Sequence, residues 1–281
     1  MPAALVTGAS TGIGRACVLR LNRRGWDVFA GVRRDEDAAS LRAAGSERLR
    51  PVRLDVTDGP AISAAADEVA AATGGRLEGL VNNAGTAVPG PLETLPLEDF
   101  RRQIDVNLTG QLAVTQAVLP LLRPARGRIV FISSIGGRMA LPFNGAYHAS
   151  KFGIEALGDV FRQELEPSGI RVSLIEPGSI ATPIWDKGAR EADEIERRAD
   201  ARQRELYGER MEGFRRAVRS TAERGIEPDA VAKRVEDALT SSRPKTRYLV
   251  GLDAGIQARV AALLPDRLVD RVVAAAIRRS G

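Results

Sequence analysis

Cysteine is nearly missing from this chain of 281 residues, and Cys17 is the only one. A lone thiol cannot close an intramolecular disulfide, so a reducing compartment is expected, with the cytoplasm as default. Histidine is as scarce, for His148 stands alone. One imidazole and one thiol make no ligand set for a metal, and no Ser-His-Asp spacing surrounds His148 to form a hydrolytic triad. Long apolar runs are lacking too. No stretch approaches the roughly 20 residues of a spanning helix, and no basic-then-apolar leader precedes the first strand pattern. Neither an integral membrane segment nor a signal peptide is therefore expected. Lysine supplies only four of the 41 basic residues, which face 36 acidic ones. The resulting charge of +5 is interspersed and almost all arginine. That fits base bias in an alanine- and arginine-rich chain better than a nucleic-acid surface.

What remains is an alternation of short apolar runs and longer helical patterns, which predicts βαβ units and a parallel sheet. Strands are predicted at Ala3–Thr7, Asp27–Arg33, Pro51–Leu54, Gly79–Asn82, Gly127–Ser133, Arg171–Glu176 and Thr246–Val250. Runs such as AALVT, RIVFIS and RVSLIE suit strands covered on both faces. Helical stretches are predicted at Gly14–Arg24, Asp58–Thr73, Leu97–Asn107 running into Gly110–Leu122, Tyr147–Glu166 and Asp229–Ser241. No internal repeat is visible, and 1–281 reads as one domain. Two segments depart from the alternation. The stretch 183–226 is long, charged and helix-prone, with Ile195, Leu206, Met211 and Phe214 as its apolar or aromatic positions. It reads as a solvated helix or, lying after the sixth strand, as a substrate lid. In the tail, 255–281, Ile256, Val260, Leu263, Leu264, Leu268, Val272, Val273 and Ile277 recur at helical spacing. That stripe suits core or dimer packing, or a peripheral membrane contact flanked by Arg267, Arg271, Arg278 and Arg279.

Directly after the first strand comes Thr7-Gly8-Ala9-Ser10-Thr11-Gly12-Ile13-Gly14, opening a helix. Its glycines let backbone turn sharply and approach a pyrophosphate, while the helix amino terminus offers unpaired N–H groups. Further on, YHASK spaces Tyr147 and Lys151 by four residues, so one helix face carries both. A phenol titrates near pH 10 and is a poor base at neutral pH, and an adjacent ammonium would lower that value. Ser134 ends the strand RIVFISS, where the crevice outside a parallel sheet opens, and Ser133 should point the other way.

The glycine spacing is TGxxxGIG, and about residues 2 to 251 resemble the short-chain dehydrogenase/reductase family in its ordinary-length form. Leu54-Asp55-Val56, Asn82-Asn83-Ala84-Gly85, Asn107, Ser134, Tyr147 with Lys151, and Pro177-Gly178 followed by Thr182 appear in that family's order. The resemblance implies a Rossmann-type, doubly wound, seven-stranded parallel sheet and reversible hydride transfer between nicotinamide and a carbonyl carbon. It implies Tyr147 as acid/base, Ser134 on the substrate oxygen, and Lys151 also on the nicotinamide ribose. Asn107 would order a relay water through a locally distorted helix. Asp55 and Val56 would lie near adenine, Asn83, Ala84 and Gly85 along the cofactor, and Ile180 and Thr182 at the carboxamide.

For the cofactor, an acid at the end of the second strand accepts ribose hydroxyls, whereas arginine accommodates the extra phosphate of NADP. Val32 takes the acid's place there and Arg33 and Arg34 follow, which favours NADP. Ser10 and Thr11 supply no second cation, and Asp35, Glu36 and Asp37 would favour NAD if the strand end were shifted. Gly90-Pro91-Leu92-Glu93, VFAGVRR and the YLVGLDA tail resemble the branch containing 17β-hydroxysteroid and retinol dehydrogenases. A bulky apolar ketone, aldehyde or alcohol follows, held by Met139, Leu141, Phe143 and Trp185 with Ser134 and Tyr147. The alternatives are a 3-oxoacyl-thioester reductase on the same fold and a catalytically idle nucleotide-binding scaffold. The resemblance also implies a homodimer or homotetramer paired through Gly110–Leu122 and Gly153–Glu166.

Overall fold

The apolar runs become parallel strands, and the periodic stretches between them become helices that return the chain to the sheet's starting edge. The computed structural model describes residues 1–279, with the side chains of Thr221 and of 276–279 outside the description. The strands are β1 (Ala3–Val6), β2 (Asp27–Val32), β3 (Leu49–Arg53), β4 (Gly79–Asn82), β5 (Arg128–Ile132), β6 (Arg171–Pro177) and β7 (Arg247–Val250). The helices are α1 (Gly12–Arg23), α2 (Asp35–Ala44), α3 (Gly59–Thr73), α4 (Leu97–Ile104), α5 (Gly110–Ala125), α6 (Gly145–Glu164), α7 (Ile184–Arg198), α8 (Ala201–Glu223), α9 (Pro228–Thr240), α10 (Leu252–Leu263) and α11 (Asp266–Arg279).

All pairings are parallel, in the order β3-β2-β1-β4-β5-β6-β7. The order reverses direction between β1 and β4, so a crevice opens there at the carboxyl ends of the strands. Alternate residues of β1 go to opposite faces, as strand geometry requires. Ala4 and Val6 join a core with Val18 and Leu21 of α1 and Val231 and Val235 of α9. Leu5 joins Phe29, Leu80 and Phe131 against α3, α5 and α6. Cys17 lies fully buried on α1, and burial, with Asp229 adding, pushes its thiol up to about 12. Local signals set the helix ends. In α3, Asp58 accepts from the Ala61 N–H at 3.1 Å, and Gly74 closes the helix at φ 64°.

One buried cluster ties the far half of the sheet together. Glu176, near the end of β6, has no exposure, and the Arg138 fork holds it at 2.8 and 2.7 Å. Arg247 of β7 approaches the same carboxylate at 3.2 Å while reaching Glu155 at 3.0 Å and Asp159 at 2.7 Å on α6.

The structure departs from the sequence expectation in three places. The acidic run Asp35–Asp37 does not extend β2 but forms the first turn of α2, where carboxylates complement the helix dipole. The charged stretch is two helices, α7 and α8, separated at Ala199-Asp200, where Asp200 and Gln203 form a capping box. Ile195 is buried with Val88 and Leu95, and Met211 with Phe143, while Leu206 faces solvent. The tail is likewise two helices, and among the described side chains only Ala254 and Ala258 of α10 are buried in it, against Ile135. Ile256 is 61% and Leu263 77% exposed, so the stripe does not pack into this chain's core. Ile277, Arg278 and Arg279 fall outside the described side chains. Among the described residues, no helix is long and apolar enough to cross a membrane.

Breaking a buried pair leaves an uncompensated charge, so Glu176→Gln is expected to cost about 3 kcal/mol in denaturant unfolding. Glu194→Gln, which removes an exposed pair with Arg198, should change stability by less than about 0.5 kcal/mol in the same assay.

Candidate active site

At the reversal between β1 and β4, the loop leading into α1 is built to bring backbone close to a ligand. Gly8 and Gly12 have φ of 62° and 54°, a region that side chains disfavour. A Cβ on Gly14 would sit 2.2 Å from the Gly8 carbonyl oxygen. The Asn83 amide braces this turn, donating to the carbonyls of Thr7 at 2.9 Å and Gly8 at 3.0 Å. The Thr7 hydroxyl in turn accepts from the N–H groups of Asn83 and Ala84, both at 2.9 Å. Asn83 was expected along the cofactor, yet its side chain is committed to shaping the loop. At the start of α1, Thr11 places no side-chain cap, which leaves the first-turn N–H groups available to an anion. This glycine cradle with an uncapped helix end fits a dinucleotide's pyrophosphate.

The residues expected near the adenosine carry groups of both signs. Asp55 is held below the usual carboxylate range: burial opposes this, but the Thr57 N–H and hydroxyl and the charge of Arg33 outweigh it. Val56 is buried in the core behind it. Arg33 is exposed and only loosely tied, 3.9 Å from Asp55. Arg34, expected on a phosphate, is instead forked onto Asp37 at 2.9 and 3.0 Å. The helical turn of α2 imposes that pairing, because residues three apart share one face.

Asn107 stands in a five-residue π-helical turn, Asp105–Thr109, between α4 and α5. Its fully buried amide accepts from the Thr86 N–H at 2.8 Å and donates to the Thr86 carbonyl at 3.0 Å and to the Ser150 hydroxyl at 3.1 Å. Ser150 then donates to the Tyr147 carbonyl at 2.7 Å. The distorted helix is therefore fastened to the helix that carries the tyrosine. Ser150 lies inside YHASK, but its partner is 43 residues away, and spacing gives no sign of that bond.

Tyr147 and Lys151 share one face of α6, with the ammonium 5.7 Å from the ring centroid. The expected lowering of the phenol does not appear. Burial raises its pKa, and contact with the Ser134 hydroxyl only partly offsets that. The ammonium is buried too and donates to the Ile132 carbonyl at 2.8 Å. Burial drops its pKa to about 8, with Glu155 one turn later pulling the other way. Ser134 caps a short turn by accepting from the Gly136 N–H at 3.0 Å. Ser133 points away, towards Glu155, whose carboxyl it helps to lower against a larger rise from burial. His148 turns from the cleft and contacts the Gly136 carbonyl at 2.8 Å.

Not every expected wall residue meets the cleft. Met139, Leu141 and Trp185 are half-buried, and the Trp185 indole donates to the Ile180 carbonyl at 2.7 Å. Phe143 is buried beneath α7 and α8 among Ala192, Met211, Tyr207 and Phe214. The side chain of Ile180 lies in the core under the sheet, which leaves its backbone to face the cleft side of the turn. Thr182 rests on the glycine loop, 3.1 Å from where a Gly12 Cβ would be. The turn at Pro177-Gly178 is tied by a residue far along the chain, which no local motif marks. Asp253, in the first turn of α10, accepts from the N–H and hydroxyl of Ser179 at 2.8 Å each. An added Cβ on Gly178 would lie 2.3 Å from that carboxylate, so a side chain there would displace Asp253 from Ser179.

The lysine's burial has a consequence for stability. Its folded pKa near 8 lies below the unfolded 10.5, so between these values the unfolded chain binds more protons and stability rises with pH. The expected rise from pH 8 to 10 is on the order of 2 kcal/mol. Lys151→Met should abolish it and melt at a higher temperature than the parent at pH 7, as read from thermal unfolding at both pH values.

Residues 2–193 match the family model described as short chain dehydrogenase. The chain is 40% identical over 275 residues to retinol dehydrogenase 7 of Rattus norvegicus, covering 95% of this chain and 86% of that one. It is 38% identical over 277 residues to 17-beta-hydroxysteroid dehydrogenase type 6 of Bos taurus, with the same coverage. Among solved structures, a short chain dehydrogenase from Burkholderia cenocepacia in complex with NADP superposes with TM-score 0.72 at 27% identity, over 96% of each chain. Likeness on this scale, together with the seven-stranded sheet and its glycine cradle, leads to one conclusion: the chain belongs to the short-chain dehydrogenase/reductase family, as an oxidoreductase acting on CH–OH groups within the retinol and hydroxysteroid dehydrogenase branch.

Proposed function

We propose that this protein interconverts a bulky apolar ketone or aldehyde, of steroid, retinoid or alkyl type, and its alcohol, with NADP preferred over NAD. The observation that carries the reading is the half-buried phenol of Tyr147 beside the Ser134 hydroxyl and the Lys151 ammonium, at the carboxyl end of the sheet, where the glycine cradle also lies. A bound nicotinamide supplies or accepts the hydride. Tyr147, its proton held by burial, donates to the substrate oxygen in reduction and takes that proton back in oxidation. Ser134 orients the same oxygen. Lys151 stabilises the phenolate as it forms, and Asn107 keeps the tyrosine helix in place through Ser150.

Support for NADP comes from β2 ending at Val32, with no acid there and an exposed Arg33 next. A relative solved with NADP is consistent with it. Support for an apolar substrate comes from Met139, Leu141 and Trp185 at the cleft and from the α7–α8 hairpin as its lid. A homo-oligomer is supported by Phe152 and Val160, which leave α6 with outward apolar positions, and a reducing compartment such as the cytoplasm by the lone buried Cys17. The outward stripe of α10 and α11 suits a second copy or a peripheral membrane surface.

Tyr147→Phe should lower kcat by at least about 10³-fold and leave the Kd for NADPH within about twofold. Retained turnover would remove Tyr147 from the mechanism. In the parent enzyme, oxidation should accelerate as pH rises from 7, because the raised phenol is the wrong protonation state for a base, and should level off above about 8 as the Lys151 ammonium is lost, while reduction stays nearly flat below 8. A substrate panel then separates the chemistries: steroid, retinoid and alkyl carbonyls should turn over well above a 3-oxoacyl pantetheine thioester, and the reverse ranking would favour a thioester reductase.

A further inference from the structure

The adenosine rim holds one cation that sequence order hides. α7 starts from the phosphate loop itself, since Thr182 and Pro183 lie 3.1 and 3.8 Å from where a Gly12 Cβ would be. Lys187 is one turn into that helix, its N–H donating to the Pro183 carbonyl at 3.2 Å. The side chain is exposed, and among the described residues it makes no hydrogen bond or ion pair. It nevertheless stands near the start of α2. Arg34 holds the Asp37 carboxyl low, against burial, and Lys187 and Arg33 add to that from a distance.

The other charges of the rim are largely occupied. Arg34 is forked onto Asp37, Arg53 lies 3.6 Å from Asp35, and Arg15 is turned to the Ser40 hydroxyl at 3.4 Å. Asp55 is satisfied by Thr57 at 3.0 and 2.8 Å, and Glu36 faces solvent. Among the described residues, Lys187 is thus without a hydrogen-bond or ion-pair partner and Arg33 is held only by its loose contact with Asp55 at 3.9 Å, so both can turn to an added anion. A dianionic phosphate wants more than one positive partner, and a flexible ammonium suits it as a point charge.

We propose that Lys187 is the second cation for the adenosine 2′-phosphate of NADP, a specificity residue delivered by the hairpin that covers the substrate cleft. The proposal rests on the NADP preference argued above. It supplies from α7 the charge that Ser10 and Thr11 cannot.

The test is a nicotinamide-fluorescence titration of the parent, Lys187→Ala, Lys187→Arg and Arg33→Ala proteins with NADPH and with NADH at one ionic strength. Lys187→Ala should weaken NADPH binding by about fivefold to tenfold and leave NADH within about twofold, with Lys187→Arg close to the parent. If the parent prefers NADPH and Lys187→Ala binds it as tightly, the role of Lys187 is overturned and the cofactor reading stands. Equal weakening of both cofactors would also overturn it, because the lysine would then be acting through hairpin docking. A parent that prefers NADH overturns the cofactor reading and this proposal together.

Discussion

The buried carboxylate of Glu176 is the constraint on which the site depends. It lies one residue before Pro177, at the point where β6 hands the chain to the cofactor-side turn, and water does not reach it. An isolated charge there would not survive, so Arg138 and Arg247 must come to it. Each guanidinium arrives from a different functional element. Arg138 belongs to the turn that Ser134 caps, and Arg247 belongs to the edge strand and also grips Glu155, one turn beyond Lys151. The serine turn, the tyrosine-lysine helix and the Pro177 turn are thereby indexed to one another by a few charge-assisted bonds. Such bonds are directional, and apolar packing alone would leave these three elements freer to slide.

The sheet was legible because strands buried on both faces are written as short apolar runs, and such runs admit few other readings. RIVFIS and RVSLIE became β5 and β6 with their ends shifted by a residue or so. The ten-residue α2 was not legible, since only Ala38 and Leu41 are buried in it and its acidic start resembled a strand end. The local motifs identified Tyr147, Lys151, Ser134 and the glycine loop, since each is contiguous or one helical turn apart. What the chain hid were partners distant in sequence: Ser150 for Asn107, Asp253 for Ser179, Lys187 beside α2. The tail misled for a different reason. A helical stripe shows that a face is apolar but not what covers it, and here two alanines face inward while Ile256 and Leu263 look out.

The hairpin of α7 and α8 is held by contacts of several kinds. Arg102 forks onto Glu191 at 3.1 and 2.7 Å, the Tyr207 hydroxyl donates to Glu93, and Phe143 fills the space beneath. Phe143 does so with φ at 63°, a conformation that a bulky residue rarely adopts without support from its surroundings. It stands four residues before Tyr147, so the seat of the hairpin and the start of the tyrosine helix are one piece of backbone. Movement of α7 and α8 would be felt at Tyr147, and α7 begins beside the glycine loop. The hairpin and the glycine cradle are mechanically adjacent for that reason.

Cys17 gives this arrangement an internal clock. The only sulfhydryl in the chain is sealed beneath α1, the helix that follows the glycine loop, and it is scarcely ionised while it stays there. An alkylating reagent can reach it only in moments when α1 parts from β1, β2 and α9, so the labelling rate measures how often this half of the molecule breathes. Any anion that pins the start of α1 slows that rate, which makes a single native atom a reporter of occupancy that needs neither substrate nor added dye.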